Sequence, residues 1–270
     1  MRSAFESSRR MKFEKIGGGG DRMLADYAKH AAVWDWDGYD YSSDYDYWCR
    51  YAERFGKKVL IPMCALGQVG AYMAKKGFCV TAFDIIKEMI DEGKKRFGSL
   101  NNLSLRVADL CDLHFDEKSF DFCFISTQDL HLLPELEMVK KAFRSIASHL
   151  RKGGCLSLEL ILPLSDSYET PLRTFYPRVP NDTDKKVWKE SRERYNASTK
   201  QHDIEQIVYI QDVEGIESFP YAVTLRYFER EEIRSVLENA GFGITAEYRS
   251  RNGDAWTPES REWTVEAVKI

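Results

Sequence analysis

The sequence predicts an α/β protein in which helices cover both faces of a mostly parallel sheet, with an antiparallel β layer inserted late in the chain. Three observations predict it. Between Val59 and Ile161 short apolar runs alternate with segments of helical character, the pattern of parallel strands joined by crossover helices. Within that region VLIPMCALGQVGAYMAKKGFCVTAFD, Val59 to Asp84, reads as buried strand, tight loop, helix, second strand and terminal carboxylate. Past Pro163 charged and apolar residues come in near alternation, the period of antiparallel strands.

The elements follow in order. Residues 1–20 end in four glycines without sustained periodicity and are expected to form a mobile N-terminal arm. Residues 21–56 read as a helical cap of two helices, dense in rings: Trp34, Trp36, Tyr39, Tyr41, Tyr45, Tyr47 and Trp48. Such rings either pack the edge of a core or wall a ligand, and both readings stand at this point. The core is expected over 57–163 and 228–270. Its strands fall near 58–62, 78–83, 103–107, 120–126 and 154–161, and its helices near 68–76, 86–97 and 135–150. Gly77 precedes the second strand, and Arg151–Gly154 (RKGG) separates the long helix from the fifth. Residues 164–227 form the insertion, an antiparallel cap of two or three long strands turning at Asn196–Lys200 and Glu214–Ser218, expected to act as a substrate lid. A helix near 229–240, closed by Gly241, leads to strands near 242–250 and 261–269 joined by the turn-rich RNGDAWTPES.

Composition narrows the function. The chain has 270 residues, 43% of them hydrophobic, enough for a full core. A net charge of -4 gives no general attraction to phosphate backbones or anionic membranes, so neither nucleic acid nor membrane is an expected partner. The six cysteines are scattered, without a Cys-x-x-Cys pair or a Cys/His cluster at ligand spacing, which reads as free thiols and no metal. No apolar run reaches the ~18 residues of a membrane span, and the opening residues lack a signal-peptide core, so a cytoplasmic location is expected.

The loop after the first strand carries the chemistry. In an open parallel sheet the ligand sits beyond the carboxyl ends of the strands, where strand order reverses. Two loop positions that would suit glycine hold Met63 and Ala65, and a non-glycine residue at positive φ costs about 1–2 kcal/mol, so a slightly different loop path is expected. Gly67 remains. Asp84 ends the second strand, where a carboxylate facing solvent could accept both hydroxyls of a ribose. The same letters, ALGQVG followed by Asp84, also fit a dinucleotide fingerprint with alanine first, which leaves an NAD-dependent oxidoreductase as an alternative.

From about Tyr39 onward the chain resembles the class I S-adenosylmethionine-dependent methyltransferases of small-molecule type. VLIPMCALG stands where that family has its first strand and glycine loop, VADLCDL where it has an acid after the third strand, and SFDFCFIST where it has the fourth strand. HLRKGGCLSLEL and RYFEREEIRSVLENAGF match the fifth strand and the helix before the terminal strand pair. Ile61 replaces the family's usual acid in the first strand. The resemblance implies a Rossmann-like, seven-stranded, mostly parallel sheet with an antiparallel last strand. It implies S-adenosyl-L-methionine as cofactor, held by Met63, Cys64, Ala65, Gly67, Asp84, Ile85, Asp109, Leu110 and Thr127, with Asp109 at the adenine amino group.

Methyl transfer is an in-line displacement that mainly requires alignment and exclusion of water, with a base only where the nucleophile must lose a proton. Asp129 and His131, after the fourth strand, are the candidate catalytic residues. Tyr41, Tyr45, Arg226 and Tyr227 are candidates for contact with a small-molecule acceptor, and the implied reaction is methylation of its N or O atom. A third reading, from the altered loop, is a catalytically inactive protein that binds the cofactor in a regulatory role.

Overall fold

The computed structural model describes residues 28, 31–35, 41–126, 128–177 and 186–270. The expected N-terminal arm, most of the first cap helix with Trp36 and Tyr39, and Thr127 lie outside the described residues. The chain divides into two compact units. The larger comprises Tyr41–Ser165 and Leu225–Ile270; the smaller joins Asp166–Thr224 to the residues before Tyr41.

The larger unit contains a seven-stranded sheet. Its strands are β1 (Lys58–Pro62), β2 (Cys79–Asp84), β3 (Leu103–Val107), β4 (Phe120–Ile125), β5 (Leu150–Ile161), β11 (Phe242–Tyr248) and β12 (Glu262–Lys269), in the order β11-β12-β5-β4-β1-β2-β3. The first five are parallel and β12 runs antiparallel to both neighbours. Strands buried on both faces read as continuous apolar runs, and Val59, Leu60 and Ile61 are all buried. Helices α2 (Gln68–Lys75), α3 (Lys87–Phe97) and α4 (Leu136–His149) connect them, and α5 (Arg230–Asn239) precedes β11. The start of α5 is fixed by a reciprocal capping box between Glu229 and Glu232.

One boundary differs from expectation. Arg151–Gly154 is not a loop ahead of the fifth strand but a bulge inside it. Leu150 pairs with Phe120 and Cys155 with Phe122, so four residues on β5 sit opposite one on β4. Buried Leu150 supplies the reason, because it places a strand residue directly after the helix, and Gly153 takes φ 75° to let the chain bulge and return.

Helix α1 (Ser42–Glu53) packs on the same sheet. Trp48 stacks on Phe124 at 4.1 Å between centroids, and Phe55, just past the helix, stacks on Phe122 at 5.6 Å. An ion pair staples this end: Arg54 donates to both carboxylate oxygens of Glu266 on β12, at 2.8 and 3.0 Å, and the Tyr248 hydroxyl adds a third donor at 3.2 Å. Glu266 is only 3% exposed, so this carboxylate depends on its partners.

The smaller unit contains an antiparallel sheet. Strands β8 (Lys186–Asn196), β9 (Gln201–Gln211) and β10 (Ile216–Arg226) follow one another, with the short β6 (Tyr168–Glu169) and β7 (Arg173–Phe175) on the outer side of β8. Asn196 Oδ1 accepts from the Ser198 and Thr199 amides in one turn, and Asp212 Oδ1 from Glu214 and Gly215 in the next. These Asx-type turns set the register. Among the described residues no helix is long and apolar enough to cross a membrane.

Arg54→Ala should lower unfolding free energy by about 1–3 kcal/mol, because it leaves a buried carboxylate short of donors while Arg54 itself is half exposed. Urea unfolding of both proteins measures the difference; the Glu266→Gln variant should recover part of the loss in the Arg54→Ala background.

Candidate active site

Strand order reverses between β1 and β4, which opens a crevice at the carboxyl ends of these two strands. On the β1 side lies the loop from Met63 to Gly67. Met63 and Ala65 do not divert it: they sit at φ 53° and 49°, in the left-handed region, with Gly67 at 79°. The expected alternative path is therefore corrected to a glycine-type path followed by non-glycine residues. Hydrogen bonds over-determine the backbone there. Cys64 N donates to Phe83 O (3.0 Å), Ala65 N to Asp84 Oδ2 (2.9 Å) and Gly67 N to Cys64 O (2.8 Å).

Asp84 is the partner of this loop as well as an expected ribose ligand. Its Oδ2 holds Ala65 N and its Oδ1 holds Ile86 N at 3.0 Å, and the side chain is half-buried. The expectation that it faces solvent alone is thereby corrected. Burial raises its pKa, and the amide donors pull the other way. Each oxygen keeps a further lone pair for a diol.

Beside Asp84 stand an apolar side chain and a second carboxylate acceptor. Ile85, directly after Asp84, is 50% exposed and offers an apolar surface. Asp109 is exposed, with Oδ1 accepting from Cys111 N at 2.8 Å, while Leu110 beside it is buried in the core. Cys64 is buried and its thiol is pushed well above the ordinary range by desolvation, so it contributes backbone, not a reactive sulfur. Sequence reasoning missed Gly93 on α3. A Cβ there would lie 2.2 Å from Leu66 O, so only glycine lets this helix back the loop. A glycine inside the helical run KEMIDEGKKRF was the available signal.

On the β4 side Ser126 follows the strand, and its hydroxyl donates to Asp129 Oδ2 at 2.7 Å. Burial pushes the Asp129 carboxyl up to about 7; Ser126 opposes the shift, and the charges of Asp84 and Glu159 add to it. His131 is different. It is fully buried, Nε2 accepts from Ile161 N at 3.2 Å, and Nδ1 therefore carries the proton given to Arg226 O at 2.9 Å. With both nitrogens engaged by backbone, the ring bolts the end of β5 to the segment before α5 and is not placed to take a proton from a ligand. Tyr227 is buried against it, ring centroids 4.8 Å apart.

Beyond Ser126, over the ends of β4, β5 and β12, lies a cavity of about 620 Å³. Tyr41, Tyr45 and Trp48 from α1 and its start, Trp263 from β12, and Ser126 and Glu159 from β4 and β5 are among its lining residues. Tyr41 and Tyr45 thus reach the site from the N-terminal side, while Arg226 and Tyr227 are not part of the lining. Trp48 is also a core residue, at 2% exposure.

Two substitutions at the loop should act in opposite directions. Asp84→Ala strands the Ala65 and Ile86 amides and should cost about 1–3 kcal/mol of stability. Ala65→Gly relieves a left-handed alanine and should leave stability equal or higher by up to about 1 kcal/mol, relief outweighing the added freedom of the unfolded chain. Denaturant midpoints of the three proteins give the comparison.

Residues 59–154, which span β1 to the bulge of β5, match the family model described as a methyltransferase domain. YqeM of Bacillus subtilis strain 168, whose name proposes a methyltransferase, is 24% identical over 203 residues, covering 74% of this chain and 80% of that protein. Among solved structures, the CcbJ methyltransferase from Streptomyces caelestis superposes with a TM-score of 0.71 at 17% identity, over 91% of this chain and 98% of that one. The sugar N-methyltransferase KedS8 from Streptoalloteichus sp. ATCC 53650 gives 0.70 at 16% identity, over 88% and 91%. The core of the chain, residues 59–154, is thus similar in sequence to a methyltransferase domain, and the fold as a whole is similar to that of these solved methyltransferases.

Proposed function

We propose that the protein transfers a methyl group from S-adenosylmethionine to a nitrogen or oxygen atom of a small-molecule acceptor. The observation that carries this reading is a division of the sheet's carboxyl edge. Residues suited to a nucleoside, Asp84, Ile85 and Asp109, follow the ends of β2 and β3, an aromatic cavity lies over β4, β5 and β12, and strand order reverses between them. The solved methyltransferases of matching fold support it.

When bound, the cofactor supplies the activated methyl group. Asp84 would accept from its ribose hydroxyls and Asp109 from its adenine amino group, with Ile85 against the base and the amides of the Met63–Gly67 loop near its amino-acid portion. The half-buried walls of the crevice exclude water and fix the approach of the acceptor. Asp129, titrating near the operating pH, is the residue suited to hold the proton that the acceptor releases. His131 serves this site by position, holding the chain after β4 against β5.

Unfolding measurements in the presence of S-adenosylmethionine, S-adenosylhomocysteine or NAD(H) test the assignment. Either methionine-derived ligand at 100-fold its dissociation constant should stabilise the fold by about 2.7 kcal/mol. Stabilisation by NAD(H) alone would reverse the assignment in favour of hydride transfer.

Asp129 should also leave a mark on stability. Its folded pKa of about 7 exceeds the ordinary 3.8, so between these values the folded state binds a proton that the unfolded state does not. Its contribution to stability is complete below pH ~4 and lost as pH rises to ~7. Unfolding free energies across this window should fall less steeply for Asp129→Asn than for the parent; parallel curves would place the titration elsewhere.

A further inference from the structure

We infer that the acceptor is an amine, protonated in solution, which enters the aromatic cavity as a cation and gives up its proton through Ser126 to Asp129. The inference rests on the methyl-transfer reading and specifies the chemistry of its second substrate.

Charge is the first argument. Among the described residues the cavity is lined by three carboxylates, Asp44, Glu159 and Glu262, and one cationic side chain, Arg251. That guanidinium is committed to the wall. Its Nε and Nη2 donate to the two oxygens of Glu159 at 2.6 and 2.8 Å, Nη1 donates to Asp44, and its plane lies over the rings of Tyr47 and Trp48 at 5.1 and 5.7 Å. Arg251 therefore cancels one of the carboxylates it binds and offers little to an anionic ligand. The remaining field is negative, and it favours a cation while disfavouring a carboxylate or phosphate.

The lining gives the second argument. Tyr41, Tyr45, Trp48 and Trp263 contribute ring surface, and aromatic faces attract ammonium groups, the more so away from water. A volume of about 620 Å³ suits a molecule of one or two rings.

Proton chemistry is the third. Ser126 lines the cavity and Asp129 stands behind it, 2.7 Å from its hydroxyl. A base titrating near 7 is about 3 units from an alkylammonium of ordinary pKa, ~10.4, whereas an aliphatic hydroxyl group near the ~15.7 of water is far out of its reach. An ammonium has no lone pair and cannot accept a methyl group until it is deprotonated. Ser126 Oγ takes the nitrogen's proton as its own passes to Asp129. The freed lone pair then forms the N–C bond as the carbon–sulfur bond of the bound cofactor breaks, its electron pair remaining on sulfur. Positive charge passes from sulfur to nitrogen, and Asp129 returns its proton to solvent after release.

The test uses the full chain with S-adenosylmethionine carrying a trideuterated methyl group. The panel pairs amines with hydroxyl isosteres: glucosamine with glucose, tyramine with tyrosol, and 2-phenylethylamine with 2-phenylethanol. Mass spectrometry should find label on nitrogen only. For the amine that is methylated, Glu262→Lys should raise KM about tenfold or more with the dissociation constant of S-adenosylhomocysteine unchanged. Ser126→Ala should lower kcat more at pH 6.5 than at pH 9.5, where the amine already carries less of its proton. Calorimetry of the S-adenosylhomocysteine complex with that amine should show binding that weakens with salt. Label on oxygen, including the phenol of tyramine or tyrosol, would overturn the amine assignment and leave methyl transfer standing. Cofactor binding without transfer to any amine would also count against it, and failure to bind either methionine-derived ligand would remove the reading beneath it.

Discussion

The carboxylate of Asp84 is the constraint on which the carboxyl edge of the sheet depends. Its two oxygens hold amides from two different segments, Ala65 in the loop after β1 and Ile86 at the start of α3, and so fix the loop relative to the next helix. Gly93 completes the arrangement from the other side by letting α3 approach the Leu66 carbonyl. A loop tied in this way can keep Met63 and Ala65 in the left-handed region, because distributing the strain over several hydrogen bonds costs less than releasing any one of them. Burial is the main cause of the raised pKa of Asp129, and the charge of this same carboxylate adds to it.

The cavity over β4, β5 and β12 is held by a different kind of interaction. Chelated ion pairs stitch together elements far apart in sequence: Arg54 with Glu266 joins α1 to β12, and Arg251 with Glu159 and Asp44 joins the β11–β12 connection to β5 and α1. Glu159 and Glu266 are nearly fully buried, at 6% and 3% exposure, and such groups fix geometry more surely than they add stability. The wall of rings on α1 is positioned by these pairs and by the stacking of Trp48 on Phe124.

Most of the architecture was legible because it follows from local pattern. Apolar runs marked β1 to β5 within a residue or two at most ends, and the Asx-type turns of the smaller unit fell where Asn196 and Asp212 announced them. The bulge at Arg151–Gly154 was not legible, since its glycines read equally well as a loop; only the pairing of Leu150 with Phe120 distinguishes the two. Asp84 and Asp129 were singled out by position in the strand-loop pattern, but their partners are backbone amides and a serine, which no spacing rule reports. His131 misled for a physical reason. Histidine after a strand end serves catalysis and packing with the same letter, and the two backbone partners that decide between them come from residues 30 and 95 positions away. Arg251 and Glu159 were missed because an ion pair across 92 residues leaves no local signature.

Met63 and Ala65 carry a lesson about how such loops are encoded. What the crevice requires is a sequence of backbone signs, positive at 63, 65 and 67, and glycine is merely the least costly letter for writing a positive φ. This chain spells the same dihedral word with two dearer letters and one cheap one. A search pattern written in glycines would pass over it, whereas one written in conformations would accept Asn or Asp at either position, the residues other than glycine that most readily adopt that region.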